Sequence, residues 1–140
     1  MTLRLATPDD AAAIAAVYRV SAWHPHIHTP EEDIAFFRDT MLPEQTVRVI
    51  EADGAVIAYA STTEGWLNHL FVHPDHQGAG HGSRLLTKAM EGEDGIQLWT
   101  FQGNTRARAF YESKGFTAVE FTDGEGNEEK IPDVCYEWRR

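Results

Sequence analysis

The sequence predicts an α/β fold in which a mixed, mostly antiparallel sheet carries helices on both faces, and three features predict it. Asp53-Gly54 separates two β-rich runs, residues 47–51 and 55–60, and Asp-Gly between such runs is the strongest short-range signal for a type I′ hairpin. A largely apolar run, residues 67–72, leads through a glycine-rich turn into a helical pattern that begins at Gly80. Asn104 heads a further helical pattern that Gly115 ends, and β-rich runs follow it.

Leu3-Arg4-Leu5-Ala6 alternates and predicts a first strand. Thr7-Pro8-Asp9-Asp10 then reads as a helix start: Thr as N-cap, Pro at the first helical position, acids in the first turn. Ile14, Val17 and Tyr18 follow at helical spacing as its buried stripe. Thr29-Pro30-Glu31-Glu32 repeats the signal, with Glu32 placed for a capping box and Ile34, Phe37 and Met41 as the apolar face. The helix from Gly80 to about Met90 turns Leu85, Leu86 and Ala89 inward, and residues 96–101 form a strand. The last helix carries Ala107, Phe110 and Tyr111 at i, i+3 and i+4, and residues 116–121 and 134–138 finish as strands around a polar loop, 122–133. The order is β-α-α-β-β-β-α-β-α-β-β in one domain spanning 1–140, with no repeat or linker to divide it.

Composition narrows the function. The 22 acidic and 12 basic residues give a formal charge of −10, which opposes nucleic-acid binding and suits a cationic partner such as an amine. The start of the chain lacks the apolar core of a secretory signal, no apolar stretch is long enough to cross a bilayer, and the one cysteine, Cys135, cannot form an intrachain disulfide. A cytoplasmic protein with no membrane partner is expected.

The chemistry lies in the segment from Leu70 to Ser83: strand, glycine-rich turn, helix start. Glycines let several backbone N–H groups converge on one point, and the helix that follows adds unsatisfied N–H groups and the positive end of its dipole. A pyrophosphate is the natural guest. No Lys follows the last glycine, so this is not a P-loop, and the spacing is not that of a dinucleotide fingerprint.

Gln77-x-x-Gly80-x-Gly82 resembles the Arg/Gln-x-x-Gly-x-Gly/Ala loop of the GNAT superfamily of N-acetyltransferases, preceded as in that superfamily by a strand ending Leu70-Phe71-Val72-His73-Pro74. Asn104-x-x-Ala107-x-x-Phe110-Tyr111-x-x-x-Gly115-Phe116 is similar to its second motif, and the element order matches over essentially the whole chain. The resemblance implies a sheet splayed in its middle and acetyl transfer from acetyl-CoA to a primary amine of a small molecule or peptide by direct attack. It equally admits a non-catalytic acyl-CoA-binding module on the same fold, and it is compatible with a homodimer. Backbone groups of Gln77, Gly78, Ala79, Gly80, His81, Gly82 and Ser83 would hold the CoA pyrophosphate. Leu70, Phe71 and Val72 would offer main chain to the pantetheine arm, the Leu70 N–H would stabilise the oxyanion, and Asn104 and Ala107 would border the pantetheine. Tyr111 would protonate the departing thiolate.

The base is less defined. Trp66 and Asn68 share strand parity with Leu70 but do not titrate usefully, whereas His69 titrates and has the opposite parity. A bulge, common in that strand of the superfamily, would re-aim it; Glu64 and a chain of waters are the alternatives. His24, His26 and His28 alternate, so an extended segment points them one way. They and Trp23 are read, with Trp66 and Asn68, as lining the acceptor site, in preference to a three-imidazole metal site. No metal is expected.

Overall fold

The computed structural model describes all 140 residues, which form two compact units, Met1–Glu91 and Gly92–Arg140.

In the first unit four strands, β1 (Thr2–Leu5), β2 (Thr46–Ala52), β3 (Ala55–Thr63) and β4 (Trp66–Val72), run in spatial order β1-β2-β3-β4 with every neighbouring pair antiparallel. Asp53 (φ 52°) and Gly54 (φ 80°) both take positive φ between β2 and β3, as a type I′ turn requires. Between β1 and β2 the chain forms helix α1 (Ala11–Ser21), α2 (Pro30–Phe36), a π-helical turn (Phe37–Met41) and the short α3 (Leu42–Glu44). Helix α4 (His81–Met90) follows β4.

Side chains that alternate along the strands supply two faces. Val47, Val49 and Tyr59 pack with Ile14, Ala15 and Val17 of α1 and with Phe37 and Met41 of the π-helical turn. The other face of the same strands meets α4, whose Leu85, Leu86 and Ala89 are buried as the sequence pattern predicts. The expectation of helices on both faces thus holds within this unit.

The start of α1 differs in detail from the predicted one. Pro8–Asp10 forms a single 3₁₀ turn and α1 proper begins at Ala11. Asp10 closes the capping box, accepting from the Thr7 N–H at 2.7 Å, and receives both terminal nitrogens of Arg4 at 2.8 and 3.0 Å. The second nitrogen of Arg4 also reaches Glu51 at 2.9 Å. One carboxylate therefore ties β1 and the α1 entry together and, through Arg4, to β2.

In the second unit β5 (Gly95–Phe101), β6 (Thr117–Phe121) and β7 (Asp133–Arg139) lie in order β5-β7-β6, both pairs antiparallel, with helix α5 (Thr105–Ser113) between β5 and β6. Asn104 caps α5 through its Oδ1, which accepts from the Ala107 N–H at 3.2 Å. Gly115, at φ 92°, ends the helix where the Phe116 N–H returns to the Tyr111 carbonyl. Loop 122–133, which the sequence marks only as polar, is closely tied. Asp133 accepts from Thr122 Oγ1 and Asn127 Nδ2, and Gln102 Nε2 bonds the carbonyls of Thr122 and Asp133. Asp133 is thereby engaged in its own loop. No helix is long and apolar enough to cross a membrane.

Arg4 hydrogen-bonded to Asp10 holds that carboxyl below its ordinary value of 3.8. A depressed carboxylate contributes stability that is complete above the ordinary value and is lost as pH falls through the folded one. Asp10→Asn is therefore expected to lower stability by about 1–2 kcal/mol at neutral pH. Denaturant titrations should show this difference shrinking as the pH is taken below 3.8.

Candidate active site

The geometry of β4 is set by one extra residue. Leu67 stands opposite Thr62 and His69 opposite Ser61, so Asn68 is a bulge. Its amide nitrogen reaches Gln45 Oε1 and Thr63 Oγ1, both at 3.1 Å. The anticipated bulge is present, and it corrects the parity count. Asn68 and His69 lie together on the α1 side, while Leu70, opposite Ala60, lies on the other.

The bulge also sets the hydrogen-bond phase. The His73 N–H donates to the Ile57 carbonyl at 2.8 Å. In an antiparallel pair bonded and non-bonded positions alternate. Phe71 and His69, opposite Tyr59 and Ser61, are consequently bonded to β3; Leu70 and Val72 turn their N–H and C=O groups away from it. The Val72 carbonyl accepts from Gln77 Nε2 at 3.0 Å, which fixes the entry to the glycine turn on the end of the strand.

The turn itself fits a diphosphate. Gly78 and Gly80 take φ of 83° and 87°, and a Cβ built on either meets nothing within 4 Å. Gly80 is the N-cap of α4 and offers no side-chain cap, so the first-turn N–H groups of His81, Gly82 and Ser83 are left to a partner outside the helix. His81 itself is buried by contrast, its ring 6.4 Å from the His76 ring and its Nε2 without a hydrogen-bond partner.

His69 sits among aromatic rings. Tyr18, Phe37, Tyr59 and Phe71 have ring centroids 5.7–5.9 Å from it, and Tyr59 Oη lies 2.9 Å from its Nδ1. Burial, with His24 a smaller influence, pushes its pKa down to about 4, so the imidazole stays neutral and is a weak proton acceptor at neutral pH. The bulge aims His69 at the α1 side, but its surroundings remove the basicity expected of it.

The three loop histidines do not converge. His24 is buried, with Nδ1 2.8 Å from the Pro25 carbonyl and Nε2 3.1 Å from Tyr18 Oη. His26 Nε2 lies 2.6 Å from the Arg19 carbonyl, and His28 Nδ1 lies 4.0 Å from Glu32. Trp23 is exposed and Trp66 half-buried. Tyr18, read from its spacing as part of a buried stripe, is the residue that sequence reasoning undervalues. It is half-buried and its hydroxyl pairs with a histidine six positions on, which is the signal the sequence carries.

In the second unit Tyr111 is buried against Phe110, Phe116 and Tyr136. Burial raises its pKa well above the ordinary phenol value, which keeps the proton on the phenol oxygen. Cys135 is also buried, and burial with Glu120 and Glu137 nearby pushes its thiol up, away from the thiolate a nucleophile needs. Arg108 Nε donates to Tyr136 Oη at 3.0 Å, and in the first unit Lys88 pairs with Glu91 at 3.1 Å.

The fold is one seen in solved acetyltransferase structures. The structure of yncA from Salmonella typhimurium with its cofactor acetyl-CoA matches at a TM-score of 0.76 and 23% identity, over 99% of this chain and 93% of that one. Residues 43–118 match the family described as acetyltransferase (GNAT) domain, and the chain belongs to that family. The L-amino acid N-acyltransferase MnaT of Escherichia coli is 33% identical over 106 aligned positions, 65% of this chain and 62% of that protein. The L-methionine sulfoximine/L-methionine sulfone acetyltransferase of Salmonella typhimurium is 30% identical over the same shares. The chain thus spans about three fifths of the length of these two relatives, 62% in each case.

The depressed value of His69 carries a stability prediction. Between its ordinary 6.5 and about 4 the unfolded chain takes up a proton that the folded chain refuses. Stability is complete above 6.5 and falls toward 4, by on the order of 2–3 kcal/mol. His69→Gln should flatten denaturation free energy across that window, whatever it does to the plateau above it.

Proposed function

We propose that this chain transfers an acetyl group from acetyl-CoA to a primary amine of a small molecule or peptide by direct attack, in the cytoplasm, with residues 1–140 serving as one acetyltransferase domain. The observation that carries the reading is the head of α4. Two glycines with left-handed backbones stand before amides with no side-chain cap, and space is open where side chains would lie. A dianionic bridge meets there both the unsatisfied donors and the positive end of a helix.

In this reading backbone groups of 77–83 hold the pyrophosphate and Leu70, Phe71 and Val72 line the pantetheine arm, with Asn104 and Ala107 beside it. The outward Leu70 N–H receives the oxyanion that forms as nitrogen attacks the thioester carbon; the C–S bond then breaks and Tyr111 protonates the thiolate. The outward phase of Leu70 and the retained proton of Tyr111 support these two roles. The names of the two curated relatives favour an acceptor bearing an amino-acid-like amine.

Thiol release from acetyl-CoA against a broad amine panel, beside calorimetry with acetyl-CoA, tests the reading. Turnover with at least one amine is expected. Binding with no thiol released from any amine would leave an acyl-CoA-binding module instead. Gly80→Ala should lower stability by about 1–2 kcal/mol, the strain of a left-handed backbone rather than a clash since the methyl meets no protein atom, and should weaken CoA binding about 10-fold or more by occupying the diphosphate's place. Tyr111→Phe should reduce kcat on the order of 10- to 1000-fold with CoA affinity nearly unchanged. Unchanged turnover removes Tyr111 from the chemistry.

A further inference from the structure

An amine reaches an acetyltransferase largely as ammonium and must lose a proton before it can attack, and His69 is poorly suited to take it. We propose that Tyr18 and His24 form the relay that takes this proton, an inference that rests on the acetyl-transfer reading above.

Direction is fixed by the hydrogen bonds. A carbonyl oxygen can only accept, so His24 Nδ1, 2.8 Å from the Pro25 carbonyl, carries a hydrogen. In the neutral ring Nε2 is then the bare nitrogen, and the Tyr18 hydroxyl 3.1 Å away donates to it. With its hydrogen directed to His24, the Tyr18 oxygen takes the acceptor role toward any further partner, the role an ammonium donor requires.

Position agrees. The Tyr18 ring lies edge-on to Phe71 at 5.4 Å and 5.9 Å from His69, the two residues flanking Leu70, whose N–H faces away from β3. Tyr18 is half-buried, whereas His24 is buried behind it. Tyr18 on α1 and His69 on β4 face His24, and Tyr59 on β3 and Asp33 on α2 face the same cluster through Tyr18 and Tyr59 respectively. The charges on the packed helices, Arg19 on α1 and Asp33 on α2, form an ion pair at 2.6 Å.

The ammonium gives one proton to Tyr18 Oη as the phenol passes its own to His24 Nε2, leaving a neutral amine and an imidazolium. The amine's lone pair then forms the C–N bond. When the C–S bond breaks, Tyr111 protonates the thiolate, and the second proton lost by the nitrogen passes through solvent to restore the Tyr111 phenol. His24 returns its proton to solvent between turnovers. Tyr18 touches the substrate and His24 acts through it.

The test compares pH–rate profiles of thiol release for wild type, His24→Gln and Tyr18→Phe, the last retaining the ring and its packing. At about pH 7 each variant should be slower by about 10- to 100-fold, converging on wild type toward about pH 10, where the amine arrives uncharged. An amine of low basicity, uncharged at neutral pH, should show the same convergence there, and the double variant should be no slower than either single one. A deficit constant across pH and across amines, or no deficit, overturns the relay while leaving acetyl transfer intact. Wild-type protein that releases no thiol with any amine sinks the acetyl-transfer reading and the relay with it.

Discussion

The extra residue at Asn68 is the constraint on which the site in the first unit depends. Continuing the register of Thr63 with Trp66 and Thr62 with Leu67 past it, without the bulge, would set Leu70 opposite Tyr59. Leu70 would then lie in a bonded pair, its N–H held by β3 and its side chain turned toward α1. The bulge shifts the phase by one. It turns the Leu70 and Val72 amides away from β3, brings His69 and Phe71 to the α1 face, and ends the strand where Gln77 can hold the Val72 carbonyl. One inserted residue thus controls main-chain donors and side-chain direction together.

Local chemistry made most of the fold legible. Asp53-Gly54, the Thr29–Glu32 capping box, the Asn104 cap and the Gly115 terminator are short-range devices whose geometry follows from residue type, and each appears where its sequence places it. Buried stripes were equally legible, because Ile14, Val17, Phe37, Met41, Leu85 and Leu86 depend only on helical period. Side-chain partnerships across sequence distance were not. Nothing local says that Arg4 joins Asp10 to Glu51 or that Asp133 closes its own loop.

The candidate site divides along the same line. The glycine turn was readable because its backbone conformation is a property of glycine. The base was not, because basicity belongs to an environment. His69 has the residue type for proton transfer and, after the bulge, the right face, yet it is half-buried against four aromatic rings and desolvation disfavours its charged form.

The two imidazoles differ in what they could do with an added proton. His69 in its charged form would place a cation amid apolar rings, with Tyr59 as the partner of its Nδ1. His24 already has an acceptor at each ring nitrogen: the Pro25 carbonyl at Nδ1 and, once the proton has moved, the Tyr18 oxygen at Nε2. A buried charge is tolerable when both its donors are satisfied and costly when they are not. In the proposed relay, therefore, the burial that lowers the basicity of the β4 histidine leaves proton handling to the loop beside α1, where a tyrosine and a backbone carbonyl bracket an imidazole.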